Sequence, residues 1–282
     1  MNVYILGLAD HFRGDRLVAH LRGVGVEPKV VHGFDARIAQ DILRNQLASR
    51  RRISGILKRE LTLAEVAVVL GHRLIYEKFL ATSENWALIL EDDSFPIDSW
   101  IPESFSFKPV ELPMILHLKG IDSFDSSATN FPCLLLDSTD LSSAPESFIA
   151  YRTLGNLFGT YAYLINRPAA EVALANFAGV DSTADWPYTW RNKVNFYIPE
   201  KTYFTVSLEG SLVEKARDEA LNKVNLRTSF FQSNRFSGVV KTILGFMGLL
   251  SVIPYMKGLG FRQHYKENII VPFLLRRVRS GD

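Results

Sequence analysis

The chain has 282 residues, 47% apolar and 22% charged, the ordinary proportions of a folded chain with one sizeable core. Its single cysteine, Cys133, excludes an internal disulfide framework and a cysteine-rich zinc site, and its apolar neighbours read as those of a buried structural thiol. The net charge of +2 is unevenly placed: residues 235–282 carry eight Lys/Arg against two acids, and the first 234 carry 24 against 28. A mildly acidic body, residues 1–235, is therefore followed by a basic, apolar segment, residues 236–282, and a nucleic-acid partner is not expected.

Residues 3–8 form a short apolar run with strand character, and the start MNVYILGLADHF lacks the basic n-region of a signal peptide. It reads as the first core strand of a cytosolic protein. Residues 11–22 carry Leu and Val at helical spacing, with Gly23 as the expected stop, and residues 29–32 give a second strand. This strand–helix–strand opening is the usual start of an α/β sheet able to bind nucleotides, although no G-x-G-x-x-G follows the first strand. Residues 40–60 are polar and basic, with Arg50-Arg51-Arg52 and Lys58-Arg59, and read as a solvated helix or loop, or as a segment near an anionic substrate.

Thr62-Leu63-Ala64-Glu65 fits a capping box, and apolar residues recur from Val66 through Val69, Leu70, Leu74 and Ile75 to Phe79. After a polar loop at 81–85, residues 86–90 (WALIL) are continuously apolar, as in a strand buried on both faces. The strand pattern at 113–118 is followed by a Ser-, Asp- and Pro-rich stretch, 121–147, read as a long loop or small hairpin. A strand at 160–166 and a helix at 168–177, with proline in its first turn, precede an acidic, aromatic segment at 180–188.

Glu91-Asp92-Asp93 ends the buried WALIL run. Three adjacent carboxylates repel one another unless something neutralises them. At the C-terminal edge of an α/β sheet they stand where such folds bind ligands. Strand alternation sends Glu91 and Asp93 to one side and Asp92 to the other. Carboxylate oxygens suit Mg²⁺ or Mn²⁺, which typically bridge a protein carboxylate to substrate phosphates and neutralise a diphosphate leaving group. An acidic triplet on a solvated loop is the alternative.

Leu61-Thr62-Leu63-Ala64-Glu65, then Gly71-His72, then Trp86 to Asp93 resemble glycosyltransferase family 25, which includes lipopolysaccharide and lipooligosaccharide β-galactosyltransferases. Val3-Tyr4-Ile5-Leu6, Gly33-Phe34-Asp35, Met114 to Gly120, Gly159-Thr160-Tyr161-Ala162-Tyr163-Leu164-Ile165 and Ala184-Asp185-Trp186 are similar to further family segments in the same order. The similarity spans residues 3 to about 215. Where the family has N-L-D-R after its first strand, this chain has Gly7-Leu8-Ala9-Asp10; Ala64 replaces the glycine near the cap and Gly71 the serine before the histidine.

The resemblance implies a GT-A-like fold: a Rossmann-like mixed sheet flanked by helices, followed here by a helical basic-apolar C-terminal segment. It implies Mn²⁺ or Mg²⁺ held by Glu91 and Asp93, and donor contacts from Leu6, Gly7, Asp35, His72 and Asp92. It also implies inverting transfer of a hexose, galactose above all, from a UDP-sugar to a hydroxyl of a glycan or glycolipid such as lipopolysaccharide. The general base must lie across from the leaving group, and Asp185 is the candidate, with a helix cap or surface aspartate as its other reading. His72 is either a donor-side residue or structural. Trp186, Tyr188 and Trp190 either stack on an acceptor sugar or fill core.

The apolar run at 242–256 has fifteen residues and contains Pro254, short of the about twenty a spanning helix needs. With Lys241, Lys257, Arg262 and Arg276-Arg277-Val278-Arg279, residues 237–282 read instead as lying on the inner face of the cytoplasmic membrane, or else as a core helix or oligomer contact. Two other functions compete: a catalytically inactive relative that binds carbohydrate or nucleotide, and a membrane scaffold dominated by the C-terminal segment.

Overall fold

The computed structural model describes residues 1–48, 60–97, 107–121, 133–140, 149–154, 159–177, 179–187, 190 and 193–207. The basic residues at 50–59, Tyr188 and the C-terminal segment 237–282 lie outside them, as do the side chains of 133–140 and with them the thiol of Cys133.

Among the described residues ten strands form: β1 (Asn2–Gly7), β2 (Lys29–His32), β3 (Trp86–Glu91), β4 (Ser94–Pro96), β5 (Met114–His117), β6 (Cys133–Asp140), β7 (Ile149–Leu154), β8 (Ala162–Asn166), β9 (Asn195–Pro199) and β10 (Phe204–Val206). Accompanying them, among the described residues, are the α-helices α1 (Asp15–Gly23), α2 (Gln40–Asn45), α3 (Leu63–Leu80) and α4 (Arg167–Ala175). Eight strands make one mixed sheet in the order β2-β1-β3-β8-β5-β9-β7-β6, and β10 and β4 pair in a separate ribbon. β1 runs parallel to β2 and β3, whereas β8 is antiparallel to both β3 and β5. The mixed α/β fold expected from the opening pattern is thus present.

Alternation along the central strands divides the core in two. Val3, Ile5, Leu88 and Leu90 face α1 through Leu17 and Leu21, while Tyr4, Leu6, Ala87 and Ile89 face α3 and α4 through Ile75, Phe79, Ala169 and Ala170. Because β3 is covered on both sides, its five apolar residues 86–90 need no polar alternation. The box predicted at Thr62 forms in full: Thr62 Oγ1 accepts from the Glu65 N–H at 3.2 Å, and Glu65 Oε2 accepts from the Thr62 N–H at 3.0 Å.

α1 ends at Gly23, within a residue of the expected stop; beyond the cap at Val24, Gly25 takes φ 87° and its N–H reaches the Arg22 carbonyl. The Val26 N–H bonds the Leu21 carbonyl, completing a Schellman end. Other boundaries shift for local reasons. The helix starts late. Ala9–His11 form a 3₁₀ turn, so residues 12–14 stay outside α1. The stretch 121–147 contributes β6, paired with β7 as a hairpin at the sheet edge. α4 begins at Arg167 under the Asn166 side chain, which accepts from the Ala169 N–H.

Candidate active site

In the order β2-β1-β3 the chain leaves β1 toward one neighbour and later returns to its other side, so the C-terminal ends of β1 and β3 flank a topological switch point. This is where open α/β sheets bind ligands. Glu91 closes β3, and Asp92 closes the gap to β1 by donating its N–H to the Leu6 carbonyl at 2.9 Å. A side chain at Gly7 would displace two neighbouring side chains. A Cβ would stand 2.9 Å from Asp92 Oδ2 and 2.5 Å from the Phe12 ring.

The strand ends at Glu91, and alternation ends with it. The expectation that Asp92 points away from Asp93 fails for that reason: both carboxylates reach one guanidinium. Arg13 Nη2 lies 3.1 Å from Asp92 Oδ1 and 2.8 Å from Asp93 Oδ2, and the Arg13 N–H donates to Asp92 Oδ2 at 3.1 Å. Asp93 is 9% and Asp92 8% exposed, and Asp93 Oδ1 is buried with no hydrogen-bond partner among the described residues. Burial, then the charge of Glu91, push Asp93 up to about 7 against the pull of Arg13. Asp92 is raised as well, burial outweighing the hydrogen bonds and charge of Arg13.

Glu91 has a different environment. Its Oε1 accepts from Thr160 Oγ1 at 2.6 Å and from His72 Nε2 at 3.1 Å. Burial acts upward on its pKa, but the bonds from His72 and Thr160 outweigh it and hold the carboxyl below its ordinary value. His72, 3% exposed, also touches the Tyr163 hydroxyl through Nδ1 at 2.9 Å.

The remaining predicted residues gather at the same sheet edge with other partners. Asp35 follows β2 and is held by Arg37, whose Nε lies 2.9 Å from Oδ1; that pairing, more than its slight burial, lowers Asp35 to about 2. Asp185 Oδ1 accepts the Gly159 N–H at 2.7 Å, and Gly159 O accepts from His117 Nε2 at 2.6 Å. His117 Nδ1 in turn accepts the Lys119 N–H, which fixes its proton on Nε2. Gly159 has φ 90°, and the next residue, Thr160, is the one that donates to Glu91. Asp185 therefore stands one residue removed from the acidic cluster. Trp186 and Trp190 fill core, 0% and 3% exposed, with Trp186 edge-on to Tyr163 at 5.0 Å.

Sequence reasoning missed Arg13, Thr160 and Tyr163 as site members. Arg13 lay inside a predicted helix, yet a signal existed: three adjacent carboxylates require a cation, and the loop after a neighbouring parallel strand is where one can reach. Thr160 and Tyr163 lay in a quoted motif without an assigned role.

The carboxylates fit a hard divalent cation. One guanidinium serves two of them, the unpartnered Asp93 Oδ1 is a ready donor, and all the donors are oxygens. Among the described residues no three His, Cys, Asp or Glu side chains cluster to enclose a metal, so phosphate and water would complete such a shell.

A mixed α/β sheet carrying carboxylates at its switch point has them where open α/β folds bind their ligands. The chain belongs to glycosyltransferase family 25 (LPS biosynthesis protein), whose profile matches residues 1–186. It is a glycosyltransferase by that membership. No curated protein matches it in sequence. Among solved structures, a glycosyltransferase involved in the glycosylation of the major capsid of PBCV-1 is similar over 77% of this chain and 100% of that chain, with 9% identity. The TM-score is 0.36, too loose a likeness to bear on function. No helix among the described residues is long and apolar enough to cross a membrane.

Proposed function

We propose that the protein transfers a hexose, galactose first among candidates, from a UDP-sugar to a hydroxyl of a surface glycan or glycolipid such as lipopolysaccharide, with inversion and with Mn²⁺ or Mg²⁺, on a GT-A-like domain. The observation that carries this reading is the buried Asp92–Asp93 pair at the switch point, where, among the described residues, Asp93 Oδ1 is unpartnered and Arg13 is shared between the two carboxylates. A divalent cation held by Asp93 and Asp92 would supply charge neutralisation to the departing diphosphate. Arg13 lies within reach of the same charge and would turn from the carboxylates toward phosphate. Gly7 leaves room for the donor to approach the backbone after β1. Glu91, first expected among the metal ligands, is read here as an ionised acceptor for a substrate hydroxyl, because its Oε1 is already committed to His72 and Thr160. Asp185 remains the proposed general base, steadied by Gly159.

The basic segment 237–282, outside the described residues, supports a peripheral site on an anionic membrane surface at the cytoplasmic face. The deciding assay is UDP release from a panel of UDP-sugars, with and without Mn²⁺, at constant ionic strength. Metal-stimulated release from one sugar supports the proposal. A folded protein that binds UDP but releases none from any donor is instead a nucleotide- or carbohydrate-binding relative.

A further inference from the structure

Glu91 is held from behind by buried polar groups that sugar transfer does not itself require. His72 and Tyr76 stand one turn apart on α3, and Tyr163 reaches between them from β8. The His72 Nδ1–Tyr163 hydroxyl and Tyr163–Tyr76 hydroxyl distances are both 2.9 Å. All three are buried, in the company of Ile75, Ile89 and Ile165.

Donor counting gives this run a direction. An ionised Glu91 only accepts, so His72 Nε2 carries a proton and donates it to Oε1. In neutral His72, Nδ1 must then accept, so Tyr163 donates its one hydroxyl proton there and its oxygen takes the proton of Tyr76. Thr160 adds a second bond to Oε1. Oε2 meets no donor among the described residues, and the Glu91 side chain is 25% exposed. An apolar residue at 72 with phenylalanines at 76 and 163 would fill nearly the same volume without any need for matched donors, and removing both partners of a buried hydrogen bond is often near neutral. A run of polar groups in the core that ends on one half-open carboxylate therefore points to the carboxylate.

We propose that Tyr76, Tyr163 and His72 are positioning residues whose directed hydrogen bonds fix the His72 tautomer and the Glu91 rotamer, so that Oε1 stays occupied and Oε2 is presented to a sugar hydroxyl of the substrate. This deepens, and rests on, the transferase reading above.

The test is a double-mutant cycle on donor turnover combined with ¹⁵N NMR of His72. Tyr163→Phe is expected to lower kcat/KM about tenfold and Tyr76→Phe about threefold, the range of a lost hydrogen bond to a charged or polar chain. In a Glu91→Gln background neither should cost anything further, because the effect passes through Glu91. In the wild-type protein His72 is expected as a single Nε2–H tautomer, and in Tyr163→Phe as a mixture, with the fold retained by thermal melting. Equal losses with and without Glu91→Gln, or a His72 tautomer unchanged by Tyr163→Phe, would overturn the proposal. Tyr76→Phe repeats both measurements if Tyr163→Phe fails to fold. If the wild type turns over no donor, the transferase reading falls, while the tautomer arm still decides whether the directed chain exists.

Discussion

Asp93→Asn gives the sharpest quantitative consequence of the site. In the folded ligand-free protein Asp93 titrates near 7, against an ordinary 3.8, chiefly because burial disfavours its charge. A raised carboxyl pKa means that the native state holds more protons than the unfolded chain between those two values. The native state therefore loses stability as pH climbs from about 4 to about 7. At about 1.4 kcal/mol per pH decade the full interval is worth about 4 kcal/mol, as a ceiling. Glu91, Asp92 and Arg13 readjust together, so about 2 kcal/mol is the expected yield. Asparagine cannot ionise. Relative to wild type, Asp93→Asn should thus gain stability between pH 4 and pH 8 while losing donor turnover. Thermal melts of both proteins in EDTA at pH 4.5, 6 and 8 measure the changing gap, and at pH 8 it should amount to about 4–8 °C in Tm. Parallel pH profiles for the two proteins would refute the reasoning, since they would mean that Asp93 is charged throughout.

Three further perturbations test other parts of the structure. Arg13→Gln removes the guanidinium shared by Asp92 and Asp93 and should cost about 1–3 kcal/mol at pH 8 without metal. Titrated Mn²⁺ should then raise its Tm more than that of wild type, because the competing cation is gone. Thr62→Ala takes the side-chain acceptor from the Glu65 N–H at the start of α3, and an unfolding free energy lower by about 1 kcal/mol is expected in urea titration. Gly120→Ala would place a Cβ 2.0 Å from the Lys201 carbonyl carbon, a backbone atom that cannot swing aside. A loss of more than about 3 kcal/mol, or no soluble protein, is the expected result in an expression and melting assay.

Much of the fold was legible because its signals are local. The Thr62–Glu65 reciprocity needs only four residues, and helix α3 follows from it with apolar residues at helical spacing. The WALIL run declared a doubly covered strand, and the acids after it marked that strand's exit. Gly23 marked the end of α1 correctly, while the positive-φ residue that completes the cap is Gly25, two positions on. The strands β7, β9 and β10 escaped notice, since their pairing partners lie far away in sequence and short strands have weak patterns of their own.

The sequence alone determined the family, the kind of sheet and the place of the acidic cluster, because composition, caps and apolar runs act over a few residues. Only the tertiary structure decided how the three acids are partnered. Alternation paired Glu91 with Asp93, but the chain turns after Glu91, and the turn brings Asp92 and Asp93 to Arg13, 79 and 80 positions away. Glu91 was left to His72 and Thr160, one from a helix and one from the entry to another strand. A charge finds its partner by distance in space, and no local period in the chain encodes that distance.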